Sequence, residues 1–266
     1  MKLRMILTLA LLLGTFASAH AAADEDAAKW MEKMFGLMAD NAVQTDFAVI
    51  VDAEVQGQSL KADVKGELIH ADTNHYVNSL EMQMVMPGMG TEPMTMTSRQ
   101  VADGETMWAE THLASLGMTQ IGKISLAELD AMMKEQSGLE LGESALYMDP
   151  LSQLETILDA FDVSVIEISE GVVSLALAPT DETLKSMQTA ESALDSLDVS
   201  GVLRLREEDA VPVSATITLD ANSQIEMSFE NFSLLVREDI PEDTFVYTPP
   251  EGAQVVDMGP LMRAGM

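Results

Sequence analysis

The chain contains no cysteine in its 266 residues. That removes disulfide scaffolds, thiolate nucleophiles, zinc ribbons and cysteine-linked lipid anchors together. Cations are scarce as well: 14 Lys and Arg stand against 44 Asp and Glu, a formal charge of −30. Nucleic-acid binding needs clustered Lys and Arg to neutralise phosphates, so the charge argues against it. It argues equally against docking on anionic lipid through a basic patch. Aromatic residues make up only 5% of the chain. No apolar run beyond the first twenty residues is long enough to span a bilayer. Also missing are G-x-S-x-G, H-E-x-x-H, G-x-x-x-x-G-K-S/T and G-x-G-x-x-G, and the acids are scattered without the spacing of a calcium loop. The chain therefore reads as a non-enzyme with no catalytic residues, no cofactor and no metal set. What it has in plenty is apolar surface, 47% of residues, and methionine, 21 of them. That is ample for a core, and it separates the chain from disordered sequences of similar charge.

Met1-Lys2-Leu3-Arg4 gives a positive start, and Met5 to Leu13 is apolar apart from Thr8. Ala17-Ser18-Ala19 and Ala19-His20-Ala21 both offer small-x-small cleavage sites. Residues 1–21 are thus expected to be a secretory signal peptide, leaving 22–266 as one exported, soluble domain. Loss of Lys2 and Arg4 with it takes the charge to about −32.

From Asp24 to Asp40, Trp30, Met31, Met34, Phe35, Leu37 and Met38 recur at helical spacing, which predicts a helix with one apolar stripe. The period then switches to two over Phe47–Val55, Leu60–Leu68, His75–Met86, Met94–Val101 and Thr106–Leu113, with Asp103-Gly104 as a hairpin turn. Ser125-Leu126-Ala127-Glu128 fits a capping box opening a short helix, and Asp149-Pro150 opens another whose apolar face includes Leu154, Ile157, Leu158 and Phe161. Strand patterns return at Val163–Ile168 and Val172–Leu177 around Ser169-Glu170-Gly171. After an acidic helical stretch from Pro179 to Leu197 they resume at Val199–Arg206, Val211–Leu219, Ile225–Val236 and Phe245–Tyr247. The fold class expected is mainly β (α+β): about ten strands in a single antiparallel sheet, its connections being of hairpin length. A sheet of that length tends to curl, with the short helices lying on its concave face.

Two segments resemble a known family. Val101-Ala102-Asp103-Gly104-Glu105-Thr106-Met107-Trp108 is similar to the strand–Asp-Gly–strand hairpin of the LolA-like family, the periplasmic carriers of outer-membrane lipoproteins. Asp243-Thr244-Phe245-Val246-Tyr247-Thr248-Pro249-Pro250-Glu251-Gly252-Ala253-Gln254-Val255-Val256-Asp257 resembles that family's closing segment, and Ala215 to Phe232 its paired strands around a polar turn. The resemblance implies an incomplete barrel whose helices lid an apolar cavity for acyl chains. Its implied partners are the acyl chains of a lipoprotein or lipid, with a membrane release complex or outer-membrane receptor at the ends of the transfer, and a monomeric carrier. Three departures stand out: no Arg between Thr45 and Val55, no Pro in Ala71–Asn74, and an added helical stretch from Asp181 to Leu197.

On that reading Phe47, Val49, Leu60, Val64, Leu68, Met82, Met84, Met86, Met94, Met96, Met107 and Trp108 line the cavity, and Leu154, Ile157, Leu158 and Phe161 lie on a lid helix. Periodicity alone does not separate a lined cavity from a filled core, in which case the chain presents only its outer surface to a protein partner. Met82, Met84 and Met86 share one strand face, and Met94 and Met96 share one face of the next. Paired across the Pro87–Pro93 turn, these thioethers suit either an adaptable apolar lining or a Cu(I)/Ag(I) site. His70 and His75 flank a turn without a fixed third ligand, which is a weak zinc signal.

Overall fold

The computed structural model describes residues 24–55, 58–72, 74–85, 93–137, 158, 160–181, 183, 199–220 and 222–260. The expected signal peptide, Met86, and nearly all of the helical stretches expected around 151–161 and 181–197 lie outside the described residues.

Helix α1 spans Glu25–Asp40. The strands are β1 Ala42–Val55, β2 Gln58–Asp72, β3 His75–Val85, β4 Met94–Asp103, β5 Thr106–Leu113 and β6 Met118–Ser125, followed by helix α2, Leu126–Ser137. Then come β7 Phe161–Ser169, β8 Val172–Pro179, β9 Ser200–Arg206, β10 Pro212–Asp220, β11 Ser223–Leu235 and the short β12 Val255–Asp257. The twelve strands of the described residues join one sheet in the order β12-β6-β5-β4-β3-β2-β1-β11-β10-β9-β8-β7, whose two end strands do not pair with each other. The hairpins are antiparallel, while β12 runs parallel to β6. The chain is therefore mainly β and built on one unclosed sheet, as its periodicity predicts.

Two expectations need correction, and one strand lies outside them. Residues 118–125 form β6, which no alternating pattern announces, because apolar Ile121 and Ile124 fall on opposite faces. The segment Phe245–Tyr247, expected as a strand, is the end of a 3₁₀ turn over Glu242–Phe245 followed by irregular chain, and the closing strand comes ten residues later at Val255. Phe161, expected on a helix, opens β7 and pairs with Pro179.

The fold separates into two compact units. The first comprises Met1–Gly36, Val51–Glu54 and Glu143–Ser228. Its strands β8 to β11 stack Leu175, Leu203, Ala215 and Met227 as one cross-strand row, and Leu177, Gly201, Ile217 and Ile225 as the next. Apart from half-buried Gly201, all of these are buried. Gly201 has no side chain because Thr216 O and the Leu177 side chain already fill the space a Cβ would enter. Asp24 ties the start of α1 to β7. One carboxylate oxygen accepts from Ala27 N at 2.7 Å and the other from Val165 N at 3.2 Å, while Asp24 N donates to Val163 O. This is an N-cap that also serves as a strand anchor.

The second unit comprises Leu37–Ile50, Val55–Gly142 and Phe229–Met266. It holds the meander β2 to β6, helix α2 and the C-terminal segment. Here Thr45 Oγ1 donates to Glu230 O, and Asn231 Nδ2 donates to Asp46 Oδ2 at 2.6 Å. Asn231 sits at φ 51, a left-handed position that asparagine tolerates.

Candidate functional site

Side chains alternate between the two faces of a strand, so the β2–β6 registers assign every position to a face. One face consists of five cross-strand rows. At one end, here the base, lie His70, Tyr76, Ala102, Met107 and Ile124. Next come Leu68, Asn78, Gln100, Ala109 and Gly122, then Gly66, Leu80, Ser98, Thr111 and Gln120. Towards the opposite end, the tip, follow Val64, Met82, Met96, Leu113 and Met118, and finally Ala62, Met84 and Met94. None of these residues is Asp, Glu, Lys or Arg. The other face carries the charges, with Lys65 opposite Glu81 and Arg99 opposite Glu110. In a chain of charge −30, one face of this meander is left without a single full charge.

Burial along the uncharged face is graded. Leu68, Tyr76, Asn78, Leu80, Ala102 and Ile124 are buried at the base. Val64, Met82, Met84, Met94, Met96 and Leu113 are only half-buried, and Met118 is 57% exposed. The base is packed by short-range fits. The Phe47 ring lies over Gly66, and Met258 lies against Gly122. Glu128 of α2 abuts Gly259, and Leu126, Leu129 and Met132 of α2 are buried. Between base and tip runs a polar belt of Asn78, Gln100, Ser98 and Thr111, in which Gln100 Oε1 is buried without a hydrogen-bond partner.

The sequence-expected lining divides accordingly. Leu60, Val64, Leu68, Met82, Met84, Met94, Met96 and Met107 share the uncharged face, and Phe47 reaches it through Gly66. Val49 follows Phe47 at strand alternation and is half-buried. Met82 stands directly opposite Met96 and Met84 opposite Met94, the pairing expected of that hairpin. Trp108 is set apart. Adjacent to Met107 in a strand, it takes the opposite face, where its ring lies 5.4 Å from that of Tyr247 and under Lys123. Leu158 is helical and buried in the first unit, Phe161 belongs to β7 there, and Leu154 and Ile157 lie outside the described residues. Sequence reasoning missed Leu113, Leu116 and Met118. Their signal is the absence of any Asp, Glu, Lys or Arg from Thr111 to Gly122, a run of missing charge in an acidic chain.

On the charged face the C-terminal segment is fastened across the strands. Tyr247 Oη donates to Glu110 Oε2 at 2.8 Å; burial first, and then the neighbouring carboxylate, push its phenol up to about 12. The His75 ring meets Phe245 edge-on at 5.7 Å and shares its Nδ1 with the Asp72 carboxylate at 3.0 Å. Burial pushes the Asp72 carboxyl up, but the Asn74 amide and the His75 ring outweigh it and hold the group below its ordinary range. No group of three or more His, Cys, Asp or Glu suited to a metal ion occurs among the described residues. No helix of the described residues is long and apolar enough to cross a membrane.

No family model and no curated protein matches the chain. Solved structures do. MucB is 15% identical with a TM-score of 0.38 over 88% of this chain and 67% of that one. In the MucA/MucB complex of Pseudomonas aeruginosa the chain spans 61% of the matched length. LprF from Mycobacterium bovis is 9% identical, with a TM-score of 0.42 over 80% of this chain and 94% of that one. The LolA superfamily protein NE2245 from Nitrosomonas europaea is 10% identical, with a TM-score of 0.27 over 83% and 97%.

Proposed function

We propose that this chain is an exported, non-catalytic carrier or sensor that binds the acyl chains of a lipoprotein or lipid in the periplasm. The observation that carries the reading is the uncharged face of β2–β6, whose methionine rows stay half-exposed. An acyl chain needs no polar partner, and about ten buried methylenes contribute on the order of 8 kcal/mol before the cost of association. Methionine suits such a lining because its unbranched, polarisable side chain adapts to cargo of variable shape. The resemblance of the Asp103-Gly104 hairpin and the Pro249-Pro250 segment to LolA-like carriers supports the same reading. Transfer is passive: cargo enters the apolar face and leaves by handover to a receptor or membrane.

Native mass spectrometry of protein purified from its own periplasm, together with displacement of a fluorescent fatty acid, tests this. Bound lipid or lipoprotein and a displaceable probe are expected. Met82→Glu with Met96→Glu should weaken probe binding at least tenfold, because a charge then stands in the apolar row. Protein that repeatedly carries no lipid and binds no probe would sink the reading.

The direct opposition of Met82 to Met96 and of Met84 to Met94 favours one second reading, a Cu(I) or Ag(I) site of thioether ligands. Met82→Leu with Met96→Leu separates the two. It leaves acyl binding within about threefold, because the swap conserves volume, and abolishes metal uptake in a Cu(I) titration under reducing conditions.

A further inference from the structure

The β5–β6 turn is where the uncharged face reaches solvent. Ala114–Leu116 form a single 3₁₀ turn, and Gly117, at φ 59, reverses the chain with open space where a Cβ would stand. The two large side chains on either side of it are among the most exposed hydrophobics described: Leu116 is 64% and Met118 57% exposed. Val236 and Val246 at 57% and Ile166 at 55% are comparably exposed, and what sets Leu116 and Met118 apart is that they adjoin each other at the end of an uncharged row.

Three observations say what covers them. First, no Asp, Glu, Lys or Arg occurs from Thr111 to Gly122, so the turn can leave water without stripping an ion of its hydration. Second, Met118 continues the row Val64, Met82, Met96 and Leu113. Within this row the apolar surface thus runs from half-buried positions onto the turn without a polar residue. A partner protein would not require that continuity, whereas an acyl chain sliding out of a bilayer would. Third, the −30 charge of the chain repels anionic headgroups, so only a neutral surface permits close approach.

We propose that the β5–β6 turn is a membrane-docking edge. Leu116 and Met118 insert at the headgroup–acyl boundary of a zwitterionic bilayer and bring the end of the methionine rows against the lipid. The inference builds on the acyl-binding reading by giving it a route of loading, but it is measured separately from it.

The test is flotation of the full exported chain with vesicles of phosphatidylcholine, alone or mixed with phosphatidylglycerol. A fraction should float with phosphatidylcholine, and less with the anionic mixture. Leu116→Asp with Met118→Asp should cut that fraction at least fivefold. Val246→Asp, which alters a side chain 57% exposed outside the tip, should leave it unchanged. Leu116→Trp should report insertion directly, its added emission shifting to the blue on vesicles. No flotation of the unmodified chain, or equal flotation of the double aspartate variant, overturns the proposal. So does sedimentation of a dimer that the same variant dissociates, since a second copy would then cover the turn. Docking that persists while fatty-acid binding is absent upholds the edge and removes the acyl-binding reading; the reverse result removes the edge alone.

Discussion

Phe47 and Gly66 share one space: the ring's Cζ lies 2.6 Å from where a β-carbon on Gly66 would stand. On the same spot Ser79 O approaches to 2.5 Å, so neither a side chain nor the β3 backbone can be ignored. Gly66→Ala should therefore destabilise the fold by about 1–3 kcal/mol, the range of an overpacked core site. Urea denaturation measures it, and an unchanged midpoint would mean that the ring swings aside without loss.

Tyr247 gives a pH-dependent prediction. Its phenol is raised to about 12 in the fold against an ordinary value near 10. The stabilisation is fully present below the unfolded value and is lost as pH rises from about 10 towards 12. In an alkaline titration followed by tyrosinate absorbance, Tyr247→Phe should remove a late-titrating component. Glu110→Gln should bring that component to lower pH, because it removes the negative charge facing the phenol. A titration unaltered by both substitutions would contradict the contact.

The β7–β8 hairpin turns through Glu170 at φ 52 and Gly171 at φ 76. Both lie in the left-handed region, where glutamate is strained and asparagine is not. Glu170→Asn should raise stability by about 0.5–1 kcal/mol, seen as an increase in Tm with unchanged circular dichroism. A lower Tm would mean that Glu170 makes a compensating contact.

Gln100 is 8% exposed and its Oε1 has no hydrogen-bond partner. A buried acceptor without a donor costs about 1–3 kcal/mol, so Gln100→Leu, of similar volume, should stabilise the protein. If the belt instead meets the polar linkage of a bound lipid, the same substitution weakens cargo retention. Thermal unfolding with and without bound lipid reads both effects.

The parts legible from sequence are those set by local rules. The stripe from Trp30 to Met38 gives α1, and Asp103-Gly104 and Ser169-Glu170-Gly171 give hairpins where turn chemistry demands them. The opposition of Met82 to Met96 follows from strand alternation once the two strands pair. Other parts depend on what lies across the sheet. Met107 and Trp108 are both large and apolar, but one strand cannot send neighbours to the same face. Phe161 fits a helical stripe by spacing, yet pairing with Pro179 claims it for β7. β6 has apolar residues on both faces, Ile124 with the uncharged rows and Ile121 beside Val255, so its pattern spells neither period. The burial gradient from Leu68 to Met118 is a property of what covers each row, and no periodicity records that.

The parallel pairing of β12 with β6 sets an order of events for a chain synthesised N-terminus first. Val255 meets Ile121 roughly 130 residues after it, and contacts of such separation form slowly. Until the C-terminus arrives, β6 is an open edge, with its unpaired amides available to any passing strand. A chaperone that shields extended backbone would act during that interval, and shortening the C-terminal segment would prolong it. The yield of folded protein should then respond to changes at Val255 and Val256 well before any change in the equilibrium stability of the finished molecule is measurable.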